Sequence, residues 1–174
     1  MRVVIAGGHG KIALLLERVL AERGDHAVGL IRNPAQAADV RKAGAEAVVC
    51  DLEAASADEV AVLLSGADAV VFAAGAGAGS GAGRKDSVDR GASVLMAGAA
   101  ERAGVRRFVQ ISSMGAGQPP QSGRGEVWAA YITAKTAAED DLRSRDLDWT
   151  IVRPGGLTDA AATGRVRLAA PPVP

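Results

Sequence analysis

Along the chain, short continuous apolar runs alternate with stretches whose apolar residues are spaced three and four apart. Arg2 to Ala6 is an apolar run closed by glycine, which predicts a buried strand. From Lys11 to Arg23, the residues Ile12, Leu15, Leu16, Val19 and Leu20 fall at helical spacing, and Gly24 stands where a helix ends. His26 to Ile31 predicts a second strand. Pro34 suits the first turn of a second helix, which runs to Ala43 with Gly44 behind it. The cycle then repeats. Glu46 to Cys50 reads as a strand, Ser56 caps a helix through Leu64, and Asp68 to Ala74 is the fourth strand. Ser87 to Ala103 predicts a helix stopped by Gly104, Arg106 to Ile111 a strand, Glu126 to Arg143 a helix, and Trp149 to Val152 the sixth strand.

Strands that are apolar throughout, each followed by a helix, predict a parallel sheet covered on both faces. The expected fold is therefore α/β, a Rossmann-like doubly wound parallel sheet with right-handed crossovers. No linker divides the chain, so residues 1–174 are expected to form a single domain.

Composition narrows the partners. Hydrophobic residues make up 48% of the chain and aromatic residues 3%, so a core must be built from Ala, Val, Leu and Ile. A formal net charge of +0 argues against nucleic-acid or membrane-surface partners held by bulk electrostatics. No apolar run is long enough to span a bilayer, and the N-terminus lacks the pattern of a secretory signal. The single cysteine, Cys50, excludes a disulfide framework within one chain and reads as a core residue. A cytoplasmic monomer or homodimer is expected. His9 and His26 have no partners at ligand spacing, so no metal is expected.

The chemistry begins at Gly7-Gly8-His9-Gly10-Lys11-Ile12-Ala13, between the first strand and the first helix. It matches G-x-G-x-x-A from Gly8, and the G-x-x-G-x-x-A variant from Gly7 through Gly10 to Ala13. One glycine makes the turn and another lets the backbone approach a pyrophosphate. The N–H groups that open the helix, at Lys11 and Ile12, then face the anion. A nucleoside-triphosphate loop is excluded, because Ile12 stands where Ser or Thr must follow the lysine.

The second strand ends in Arg32-Asn33 with no acid in place, so Arg32 favours the 2′-phosphate of NADP(H) over NAD(H). Asp51 and Leu52, past the third strand, fall where adenine would lie. Asp51 could equally cap the local turn. Ala73, Ala74 and Gly75 leave the fourth strand at its carboxyl end, where small side chains permit close approach to a cofactor. In the glycine-rich loop that follows, Arg84 and Lys85 are solvated charges or phosphate ligands.

Tyr131 is the only tyrosine, and Lys135 lies one helical turn beyond it. An ammonium beside a phenol favours the phenolate, and a tyrosine so tuned can exchange a proton with a carbonyl. Ser112 and Ser113 leave the fifth strand where a hydroxyl could bind the substrate oxygen. Trp128 could line a substrate pocket, and Trp149 reads as core.

Taken in order, the glycine cluster, the paired serines, Tyr-x-x-x-Lys and Arg153-Pro154-Gly155 resemble an atypical or extended short-chain dehydrogenase/reductase. The chain is most similar to NAD(P)H-binding proteins of the NmrA-like and flavin/biliverdin reductase kind. The resemblance implies Ser113, or else Ser112, with Tyr131 and Lys135 as the catalytic set. It implies that Lys135 also binds the nicotinamide ribose, and that Pro154 and Gly155 border the nicotinamide. The asparagine of many members has no counterpart here, where Asp89 and Ser93 stand.

The expected function is reduction of a small carbonyl, quinone or related acceptor by NAD(P)H. A non-catalytic redox sensor and a sugar-nucleotide epimerase/dehydratase are the alternatives. Extended members generally continue past the sixth strand. Here a short strand at Arg165 to Leu168 and a prolyl run, Pro171 to Pro174, are all that follow. The substrate-pocket segments are therefore expected to be incomplete, with an open cleft beside Tyr131 and exposed apolar surface at Val152 and Leu157.

Overall fold

The computed structural model describes residues 1–77 and 79–168. Its six strands are β1 (Arg2–Ala6), β2 (His26–Ile31), β3 (Glu46–Val49), β4 (Ala69–Phe72), β5 (Arg107–Ile111) and β6 (Asp148–Val152). They form one parallel sheet in the order β3-β2-β1-β4-β5-β6. The chain reverses its direction of winding between β1 and β4, which pair with Ala6 opposite Phe72. In such sheets a crevice opens beyond the carboxyl ends of the strands at that reversal.

Helices α1 (Lys11–Glu22) and α2 (Ala37–Lys42) lie on one face, where Ala13, Leu20 and Val40 pack on Val3, Ile5, Ala27, Ile31 and Val71. The other face carries α3 (Ala57–Leu64), α5 (Ser93–Arg102) and α6 (Glu126–Arg143). There Leu64, Met96 and Leu142 enclose Phe72 and Phe108. Local signals set several boundaries. Ser56 and Glu59 close a reciprocal capping box at the start of α3. Gly24, Gly44, Gly66 and Gly104 follow helices with positive φ.

Three expectations are corrected. The helix after the glycine-rich loop starts earlier than Ser87 and is not uniform. A single turn, α4 (Ala82–Arg84), leads into a π-helical stretch, Lys85–Ala92, and then into α5. The wider turn packs on α6 and buries Val88, Asp89 and Ala92 together. The strand at Arg165 to Leu168 does not form. Val166 and Leu168 are 83% and 90% exposed, and a strand without a neighbour has no ladder to join. Trp149 is 40% exposed rather than core, because it lies on the edge strand β6.

Val152 and Leu157 are exposed. The prolyl run from Pro171 lies outside the described residues. No described helix is long and apolar enough to cross a membrane.

Phe72 fills the middle of the larger core and has no exposed surface. Phe72→Ala is expected to cost about 3–5 kcal/mol, through lost transfer energy and an unfilled cavity. Urea unfolding of the two proteins measures it.

Candidate active site

The glycine turn is built on contacts too close for side chains. Gly7 has φ +77°, and a Cβ there would lie 2.6 Å from Ala74 Cα. At Gly8 a Cβ would lie 2.6 Å from Gly29 Cα, so Gly8 packs on β2. Gly7 and Gly10 line a cavity of about 360 Å³, and Gly8 does not. The G-x-x-G-x-x-A register is therefore the one that faces the crevice, with Ala13 fully buried behind it. A Cβ at Gly10 would project 3.1 Å from Gly7 O.

Gly10 makes no side-chain cap, so the first N–H groups of α1, at Lys11 and Ile12, have no partner within the helix. A bare helix N-terminus beside a side-chain-free cradle fits a pyrophosphate. The Lys11 side chain points away, to Asp159 at 2.7 Å.

Arg32, Asp51, Leu52, Ala73, Ala74 and Gly75 line the same cavity. Asp51 does cap its turn: Oδ1 accepts from Glu53 N–H at 3.0 Å. Contrary to expectation, Arg32 is not free of carboxylates: Glu53, distant in sequence, accepts from it at 3.0 Å. Burial, with Asp51 and Glu59 nearby, raises the Cys50 pKa, and the thiol borders the cavity rather than lying wholly in the core.

Ala73 to Gly75 also form part of a second cavity, of about 640 Å³, on the far side of the crevice. Its wall carries Ile12, Ser113, Tyr131, Lys135, Pro154 and Gly155. Trp128 stacks near Tyr131 with ring centroids 5.5 Å apart. A third cavity, of about 700 Å³, continues from Ser113 and Tyr131 toward Met114, Pro119 and Leu157. The sequence-derived catalytic and cofactor residues are thus brought to one crevice, the Lys11 side chain excepted.

The charges differ from expectation. The Lys135 side chain is 4% exposed, and Nζ lies 3.2 Å from Asp89 Oδ1 and 3.2 Å from Ile111 O, to which it donates. Burial lowers its pKa while Asp89 opposes the shift. Lys135 therefore does not draw the phenol down. Burial, reinforced by Asp89, raises the Tyr131 pKa, and the Ser113 hydroxyl offsets part of that. Asp89 also accepts from Ala76 N–H at 3.1 Å, tying the glycine-rich loop to α6. Lys85 donates to Gly77 O at 2.9 Å and lies 5.4 Å from the centre of the Tyr131 ring.

Ser112 and Ser113 are separated by their partners. Ser112 Oγ donates to Glu139 at 2.6 Å, inside the fold. Glu139 also accepts from Arg143 at 2.8 Å and from Arg153. Burial would raise its pKa, but these donors, Arg153 first, more than offset it and hold the carboxyl low. Ser112 is thereby committed to structure. Both serines border the second cavity, and only Ser113 also borders the third.

Sequence reading missed Asp89 as a lysine partner, and missed Glu139 and Glu17 altogether. Lys135, Glu139 and Arg143 are spaced four apart, so Glu139 was legible as one stripe of α6. Glu17 sits at core spacing between Ala13 and Leu20, and Gly29, unexplained within β2, makes room for it. A Cβ at Gly29 would lie 2.7 Å from Glu17 Oε1. Neither oxygen of Glu17 has a partner among the described residues, and burial raises its pKa to about 7.

With this geometry in place, comparison identifies the class. Residues 7–173 match a family described as NAD(P)H-binding, and the chain belongs to that family. A Bacillus subtilis protein named as an uncharacterized sugar epimerase, YhfK, is 34% identical over 170 residues, covering 97% of this chain and 78% of that protein. A Bacillus halodurans structure described as an NAD-dependent epimerase/dehydratase superposes with a TM-score of 0.86 at 36% identity. It covers 95% of this chain and 75% of that one. ChuY, an anaerobillin reductase from Escherichia coli O157:H7, gives a TM-score of 0.73 at 31% identity, over 94% and 77% of the two chains.

Two outcomes follow from the turn. Gly10→Val is expected to abolish NAD(P)H binding while the protein stays folded, because the side chain enters the cradle. Fluorescence titration beside circular dichroism tests this, and unchanged affinity in a folded variant contradicts it. For Glu17, the native state holds a proton that the unfolded chain releases near pH 4.5. Stability therefore falls as pH rises from about 4.5 to about 7, then levels. Glu17→Gln is expected to remove that slope and to stabilise the protein at pH 8 by up to about 3 kcal/mol. Denaturant midpoints at several pH values measure it.

Proposed function

We propose that the protein is an NADPH-dependent reductase of the short-chain dehydrogenase/reductase type, acting on a small carbonyl, quinone or related acceptor. The observation that carries this reading is the shared wall: Ser113 and Tyr131 face the second cavity directly, with Lys135 beneath them, across from the glycine cradle. When bound, the reduced dinucleotide supplies the hydride. Tyr131 gives its proton to the acceptor oxygen, and Ser113 donates a hydrogen bond to that same oxygen. Lys135 has three N–H donors and uses two, on Asp89 and Ile111, leaving one for a sugar hydroxyl. Two guanidiniums, Arg32 and Arg84, meet on the single carboxylate of Glu53 beside the first cavity, and this supports a phosphorylated cofactor.

The names of the two Bacillus relatives favour a second reading, sugar epimerase or dehydratase chemistry. Such a reaction starts by removing a hydroxyl proton, which calls for an ionised phenol. Burial and Asp89 keep Tyr131 protonated, and this supports the reductive direction.

The test is NADPH oxidation over a panel of carbonyls and quinones. Tyr131→Phe is expected to lower kcat by roughly a hundredfold or more while cofactor affinity holds. Because the Tyr131 pKa is raised, the wild-type rate should not fall through loss of this proton between about pH 6 and 9. Full turnover in the variant removes Tyr131 from the chemistry. Tight NADPH binding with no turnover across the panel favours a sensor.

A further inference from the structure

At the mouth of the first cavity, three donors from two separate parts of the chain converge on one carboxylate. Glu53 Oε2 accepts from Arg32 at 3.0 Å and from Arg84 at 2.5 Å, and Oε1 accepts from Ser87 at 2.6 Å. Arg32 ends β2, whereas Arg84 and Ser87 belong to the helical run after the glycine-rich loop. The Glu53 side chain is 26% exposed, and its own N–H is held by Asp51. Hydrogen bonds from Arg84 and then Ser87 lower its pKa, so the carboxyl is ionised at neutral pH. Both Arg32 and Glu53 line the cavity.

We propose that Glu53 is an internal anion seated where a ribose phosphate would be held, and that it sets how strongly this chain separates phosphorylated from unphosphorylated dinucleotides. The inference rests on the dinucleotide-binding reading and adds to it the group that a phosphate must displace. Guanidiniums bind carboxylate and phosphate in the same forked geometry, so one cradle serves either anion. An isolated exposed ion pair would mean little. Here two guanidiniums and a hydroxyl share one largely covered carboxylate at a cavity mouth. An entering phosphate must draw Arg32 and Arg84 from Glu53 and is repelled by the charge left behind. An unphosphorylated ribose meets neither effect. Glu53 therefore tempers a preference that Arg32 and Arg84 create.

Calorimetric titration of the full chain with adenosine 2′,5′-bisphosphate and with AMP tests this without turnover. Glu53→Gln keeps the shape and removes the charge. It is expected to tighten the bisphosphate about threefold to tenfold and to leave AMP within about twofold, while Arg84→Met weakens the bisphosphate by a similar factor. If AMP and the bisphosphate both bind and neither variant changes their ratio, the role of Glu53 is refuted and the dinucleotide reading stands. If neither nucleotide binds folded wild-type protein, the dinucleotide reading fails and this proposal falls with it.

Discussion

At the reversal of the sheet, backbone meets backbone with no room for a side chain. A Cβ on Gly7 would strike Ala74 at the end of β4, and one on Gly8 would strike Gly29 in β2. These contacts seat the turn after β1 between its two neighbouring strands, which aims the N-terminus of α1 across the crevice. Ala73, Ala74 and Gly75 then separate two cavities while belonging to both. On the proposed reading a cofactor reaching from Arg32 to Tyr131 would pass over this ridge, and small residues there would serve both the packing of the sheet and the passage of the ligand.

Three buried carboxylates near the ridge show how differently one fold treats the same group. Glu139 is surrounded by Arg143, Arg153 and Ser112, and is held ionised. Asp89 is matched by Lys135 and the Ala76 N–H. Glu17 has no donor among the described residues, and burial pushes it toward the neutral form. The difference follows from what each helix faces. α6 brings basic residues at four-residue spacing and meets the end of β6 with its arginine. α1 turns Glu17 toward Gly29 of β2, beside Val40 and the apolar face of the sheet. A paired charge costs little beyond its desolvation, whereas an unpaired one is stable chiefly as the acid.

The alternation of strands and helices was legible because each strand is a continuous apolar run and most helices end at a glycine or open at a cap. The glycine turn and the Tyr131–Lys135 spacing were legible for the same reason: both are local patterns. What escaped was made by residues far apart in sequence. Asp89 and Lys135 are 46 positions apart, and no local rule pairs them. Glu53 gathers donors from before and after it. The π-helical stretch packs against α6, a contact that its own sequence does not announce. The strand at residues 165–168 was over-read for the converse reason: its local pattern was suitable, but none of the described residues pairs with it.

The Asp89–Lys135 pair also fixes how the tyrosine can act. Had Lys135 faced a neutral side chain, its charge would have acted on the phenol alone and favoured the phenolate. Asp89, 3.2 Å from the ammonium, opposes that influence. Burial then dominates, and it favours the uncharged phenol. A group that stays protonated at neutral pH is ready to donate to an oxygen gaining negative charge, and poorly suited to take a proton from a neutral alcohol. The ammonium keeps a different use. Anchored from two sides, it has one donor still directed by the geometry of α6, and that donor is best spent on orientation. On the proposed reductive reading the lysine would position and the tyrosine protonate, with the carboxylate between the glycine-rich loop and α6 dividing those roles.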